Sequence, residues 1–237
     1  IERDIVSAEQ NVNIALKGKP SFPDALIQKG LIVAAAGRME EAFDCIFQAK
    51  RLNPYSDTVD YSIGFLYYLT GEHEKAVEYM DKNIEKNPEW DAQYMTKLES
   101  LCLLERFDEA LATIEHVKNK INSPLSENML KAYYYAAQGS KQKSYDSLEL
   151  LEDELNKNNH KPPVYALYCQ IYLLLGETQK ALDSLETGLD QGDVQLLFIK
   201  SDSIWDELRD DKRFIEIINN TSILSSKSTD STSKKYK

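Results

Sequence analysis

A spacing of 34 residues constrains this chain more than any other feature. Gly30 recurs as Gly64, Gly37 as Gly71, Ala42 as Ala76 and Pro54 as Pro88, each 34 residues further on. Small residues and prolines at fixed offsets mark a unit copied along the chain. A unit of that length holds one supersecondary element, which cannot bury its own apolar face and must stack on its neighbours. Another step brings Leu98, Glu105, Ala110 and Asn122, where the alanine persists and "RFDEALATIEHV" still parallels "RMEEAFDCIFQA". The next step reaches Ala132, Gly139 and Ser144. A fifth copy needs three extra residues around "KNNHKPP" and then supplies Cys169, Tyr172, Gly176 and Ala181.

Each copy reads as two helices. Apolar stripes recur at helical spacing, such as Ala42, Ile46 and Ala49, or Tyr94, Leu98 and Leu101. Gly37, Gly71, Gly139 and Gly176 fall where one helix stops and the chain turns back. Pro54 and Pro88 close their copies, because a residue before proline avoids helical angles. Stepping backwards from the first copy, Ala8 falls at the place of Ala42, Ala15 at that of Ala49 and Pro20 at that of Pro54. Residues 1–20 therefore read as the second helix of a truncated repeat, in a chain that opens on Ile1; a capping helix with the same pattern is the alternative.

Period and landmarks together resemble the tetratricopeptide repeat (TPR) family over residues 3–190. The family's aromatic near the start of each first helix is only partly kept: Leu26, Asp60, Tyr94, Asn128 and Tyr165 stand there. The resemblance implies an all-α fold, an α-α superhelix (a solenoid of antiparallel hairpins) whose first helices line a concave groove. Positions that face ligands in the family map to Asp24, Ile27, Leu31, Ala34 and Ala35 in the first copy and to Thr58, Tyr61, Phe65, Tyr68 and Leu69 in the second. In the third copy they map to Ala92, Met95, Glu99, Cys102 and Leu103, and in the fourth to Ser126, Met129, Tyr133, Ala136 and Ala137. The Lys, Asn and Arg set with which some members clamp chaperone tails is absent, and Lys29 falls at a packing position. The implied groove is apolar and aromatic, suited to a helical or extended peptide held by Tyr61, Phe65, Tyr68, Met95, Glu99, Met129 and Tyr133. The same pattern also fits side chains packed between tightly curved neighbours.

Residues 21–190 thus form five hairpins, and residues 191–220 supply capping helices. Trp205, Leu208, Phe214, Ile217 and Ile218 would cover the apolar end of the last hairpin. The stretch from Trp205 to Phe214 also resembles a tail of bacterial TPR arrays that follow a cyclase, kinase or winged-helix domain. That likeness implies a C-terminal array of a larger bacterial signalling or regulatory protein. Residues 221–237, rich in Ser, Thr and Lys, read as a disordered tail.

Composition narrows the function. With 28 basic and 39 acidic side chains the net charge is −11, which disfavours nucleic acid and anionic membranes. No apolar run is long enough to span a bilayer. Cys45, Cys102 and Cys169 are far apart and read as reduced, buried thiols of a cytoplasmic protein. His73, His116 and His160 lie in different copies without ligand spacing, so no metal or cofactor is expected. Phosphate-loop, dinucleotide and nucleophile-elbow motifs are absent. The expectation is a non-catalytic protein-interaction scaffold. The alternative is a regulatory or self-associating module whose active domain lies upstream, with that domain or a second copy as partner.

Overall fold

The computed structural model describes residues 5–157 and 164–227, and all regular structure among them is helical. After α1 (Ile5–Gly18) come five hairpins: α2 (Pro23–Ala35) with α3 (Met39–Leu52), α4 (Asp57–Leu69) with α5 (His73–Lys86), α6 (Ala92–Leu103) with α7 (Phe107–His116), α8 (Pro124–Ala137) with α9 (Lys141–Lys157), and α10 (Tyr165–Leu174) with α11 (Thr178–Gln191). The first helices α2, α4, α6, α8 and α10 lie side by side as an inner layer, each backed by its own second helix.

Sequence explains the two layers. Second helices are amphipathic: α5 buries Ala76, Val77, Met80 and Asn83 and turns lysines and glutamates to water. First helices touch neighbours on both sides, so α4 buries Val59, Ile63, Leu66 and Leu69 together with Ser62 and Gly64. Gly30 and Gly64 sit at the helix crossings, where an added Cβ would come within 2.6 Å of Ile46 Cδ1 and 2.5 Å of Met80 Cε respectively. Ala42, Ala76, Ala110, Ser144 and Ala181 are all fully buried at equivalent places. At the other end of the array, Ala15 on α1 is exposed, as are Val6 and Ile14.

Turns follow one design. Gly37, Gly71, Gly139 and Gly176 have φ of +86°, +76°, +69° and +70°, and the next amide reaches back to the first helix, as Arg38 N does to Val33 O at 2.9 Å. The third hairpin turns at Glu105 instead, with φ +58° and Arg106 N donating to Leu101 O at 2.8 Å. Its second helix also departs from the pattern, ending in a π-helical turn, Val117–Ile121, closed by Asn122 at φ +54°.

After α11 the chain turns at Gly192, φ +88°. Two 3₁₀ turns follow, Val194–Phe198 and Ser203–Leu208, then α12 (Lys212–Lys227). Trp205, Leu208, Phe214 and Ile217 pack in one cluster with Ala166, Cys169, Leu182 and Leu185 of the last hairpin. The expected short helix is a pair of 3₁₀ turns, and they reach further than a cap. Phe198 meets Phe65 edge-on at 5.0 Å, and Ser201 Oγ donates to the carbonyl of Ala34 on α2. Segment 193–208 therefore bridges the last hairpin to the first two across the concave side. One expectation is corrected: residues 221–227, assigned above to a disordered tail, continue α12, and the rest of that stretch lies outside the described residues, as does His160.

Candidate functional site

The inner helices curve around a cavity of about 450 Å³. Tyr61, Phe65 and Tyr68 of α4 form one wall; Met95, Thr96 and Glu99 of α6, Met129 of α8, and Ala166 and Gln170 of α10 form the rest. Segment 193–208 covers one side with Leu196, Phe198, Asp202 and Trp205. Helical spacing explains the α4 wall, because residues three and four apart share a face. Tyr61 and Phe65 have ring centroids 6.1 Å apart and nearly parallel planes, and Phe65 lies 6.2 Å from Tyr68. Trp90 packs on Tyr61 at 4.5 Å. Asp91, Ala92, Ser126 and Gln195 edge the cavity, and Asp91, Ala92 and Gln195 are exposed there. Asp91 Oδ2 accepts from Ser126 Oγ at 3.0 Å.

The cavity's polar groups converge. Gln170 Nε2 donates to Tyr68 Oη at 3.1 Å, linking α10 to α4, and the Glu99 carboxyl of α6 lies beside the Tyr68 hydroxyl. Burial pushes Glu99 up to about 8, against the Tyr68 hydroxyl, which favours its charge; the nearby Asp202 carboxyl adds to the rise. Asp202 is pushed up to about 7 by burial, opposed by the bond its side chain accepts from Ile204 N at 3.1 Å and by Arg209. Burial also holds the Tyr68 hydroxyl well above its usual range, and lifts the Cys102 thiol to about 12.

Six of the residues expected in the groove, Tyr61, Phe65, Tyr68, Met95, Glu99 and Met129, border this cavity. Tyr133 does not. It is fully buried in the same core cluster as Leu98, Cys102, Leu130 and Leu167, and its hydroxyl has no partner. The reason is curvature: α6, α8 and α10 pack directly side by side, which closes the concave surface over that position. Tyr133 is a packing residue. Gln170 and Ala166 were legible in principle, because the fifth copy places them in register with Phe65 and Tyr61 once its three extra residues are counted. Asp202, Phe198 and Trp205 carried no such signal, since they lie outside the repeat.

Lys29, at its packing position, pairs with Glu41 at 3.2 Å. His116 stacks on Tyr94 at 5.4 Å, and His73 lies 6.0 Å from the Tyr68 ring. All three cysteines are free and buried. Among the described residues no group of three or more His, Cys, Asp or Glu could hold a metal ion, and no helix is long and apolar enough to cross a membrane.

No family model matches the chain. It is similar to the TPR repeat-containing protein YpiA of Bacillus subtilis, 26% identical over 120 residues, a match that spans 50% of this chain and 28% of that protein. Among solved structures, a tetratricopeptide repeat protein of Parabacteroides merdae aligns with a TM-score of 0.56 at 18% identity, covering 93% of this chain and 87% of that one. A thermophilic TPR protein of Thermus thermophilus aligns with a TM-score of 0.57 at 17% identity, covering 86% and 98% respectively. At such identities the structural likeness shows the fold.

Proposed function

We propose that the chain, a tetratricopeptide-repeat array, is a non-catalytic scaffold that binds an apolar protein segment on its concave face. One observation carries this reading: that face already seats a non-repeat segment, residues 193–208, through Phe198 on Phe65 and through Ser201 on the backbone of α2. Beside it the half-exposed side chains of Tyr61, Met95 and Met129 leave unfilled space. A large semi-rigid aromatic and two adaptable thioethers form a surface that accommodates apolar side chains. Affinity would come from shape and apolar burial, at about 25 cal/mol per Å² less the ordering cost of the segment.

An affinity pull-down from native lysate tests the proposal, comparing the wild type with a Tyr61→Ala, Met129→Ala variant. Both side chains are partly exposed, so the variant keeps the buried core. A protein retained by wild type and lost from the variant, at unchanged circular dichroism, is the expected outcome. Phe198→Ala should raise retention, because it loosens the segment that shares the face. Identical retention by all three would remove the groove from the function and leave a role through other surfaces.

A further inference from the structure

Among the described residues, other buried carboxyls have charged or backbone partners. Asp60 takes Lys50 at 2.5 Å and Lys86 at 2.6 Å, and Asp193 accepts from Ala166 N at 2.9 Å and Gln195 N at 3.0 Å. Glu99 is different. Only 7% exposed, it faces the cavity and pairs with no lysine or arginine among the described residues. Its neighbour Asp202, from segment 193–208, is also an acid, with Arg209 directed to its backbone carbonyl at 3.2 Å. The remaining wall is lined by the aromatic rings of Tyr61, Phe65 and Tyr68. A buried carboxyl and three aromatic rings lining one cavity are complementary to a cation on a hydrocarbon stem. Asp91 at the rim and a net charge of −11 add a field that draws cations in.

We propose that this cavity binds an organic ammonium group on an apolar stem, with Glu99 as its counter-ion and the Tyr61–Phe65–Tyr68 wall as the surface on which the stem packs. A volume of about 450 Å³ is within the range of small-molecule sites. The ammonium comes either from a free amine or from a lysine of a bound segment; in the second case the inference rests on the peptide-binding reading above. The empty site holds Glu99 protonated at neutral pH, with Tyr61 and Tyr68 of α4, Tyr133 of α8, Cys102 of α6 and Asp202 of segment 193–208 as the titratable groups around it. Binding therefore exchanges a proton for the ammonium: the carboxyl O–H bond breaks, the proton passes to buffer, and the carboxylate accepts from the N–H donors. Affinity rises with pH through about 8 and levels off above it, where Glu99 is ionised before the ligand arrives.

Isothermal titration of the full chain with phenethylammonium chloride tests this, in two buffers of different ionisation enthalpy at neutral pH. Expected are saturable binding, net proton release, and at least about tenfold weaker binding by Glu99→Gln, the loss of one charge-assisted bond. Phenethyl alcohol, the neutral isostere, should not compete. Asp202→Asn, which retains the cap on Ile204, should reduce proton release and serves as the readout if Glu99→Gln does not fold. A blocked acetyl-Leu-Lys-Phe amide separates the sources. If it binds with the same Glu99 dependence while the free amine does not, the ammonium is a lysine's. Binding of the alcohol as tightly as the amine, amine binding indifferent to a folded Glu99→Gln, or no binding of either amine or peptide would overturn the proposal. Failure here leaves the pull-down with Tyr61→Ala, Met129→Ala unaffected, so the two readings fall separately.

Discussion

A left-handed turn after each first helix suits glycine, and four of the five hairpins have one. Glu105 adopts φ +58° at the same place, exposed to solvent. A Cβ in that region crowds the following carbonyl by about 1–2 kcal/mol, and glycine escapes it. Glycine returns part of this through the larger entropy it loses on folding, roughly 0.5–1 kcal/mol. Glu105→Gly should therefore stabilise the array by about 0.5–1 kcal/mol, read as a higher urea midpoint at unchanged slope. A lower midpoint would mean that the side chain contributes something the turn geometry does not explain. This turn was visible in the sequence only as a departure, an acidic residue in a glycine register. Tyr133 was not legible even so: its register is that of Phe65 and Glu99, and only the curvature between α6, α8 and α10 decides that it faces the core.

Hairpins are the scale at which this chain is most readable. The period runs through five copies, with glycines at four turns and prolines closing two, because each pair is stabilised by its own stripe and its nearest neighbours, contacts local enough to leave a spacing. Close crossings carry a second signal. At Gly64 an added methyl would sit 2.5 Å from Met80 Cε and 2.9 Å from Tyr79 Cβ. Met80 can swing away, but Tyr79 Cβ is fixed to its backbone. Overpacking of about 1–3 kcal/mol opposes a helix-propensity gain of about 1 kcal/mol for alanine. Gly64→Ala should thus lower stability, by up to about 2 kcal/mol, measured by thermal or urea unfolding, whereas Gly139→Ala would test turn strain alone, since nothing lies within 4 Å of its added Cβ. A neutral Gly64→Ala would show that the two helices can part without loss. What the repeat could not reveal is segment 193–208. Ser201 and Ala34 are separated by 167 positions, and their contact is a single hydrogen bond to backbone, which leaves no periodicity and requires no particular residue at Ala34.

Across the whole molecule that segment brings Asp202 against Glu99, and the pair makes stability depend on pH. Both acids are held above their ordinary range, Glu99 at about 8 and Asp202 at about 7. In the unfolded chain they ionise near 4.5 and 3.8. Between those values and the folded ones the native state binds more protons than the unfolded state. The sign follows: this contribution is fully present below the unfolded values and is lost as pH rises toward 8, at no more than about 1.4 kcal/mol per pH unit for one proton. At the acid end Glu177 acts in reverse. Bonds from Lys141, Tyr145 and Lys180 draw it down to about 2, so its contribution disappears as pH falls from about 4.5. Thermal midpoints should therefore be highest in mild acid and fall toward alkaline pH. Glu99→Gln should match the wild type near pH 4, where the glutamate is largely neutral folded and unfolded, exceed it increasingly as pH rises from about 4.5, and hold a constant lead above about pH 8. Parallel curves for the two proteins would exclude Glu99 as the origin of the slope. A variant destabilised equally at every pH would instead mark the carboxyl oxygens, not their titration, as what the packing needs.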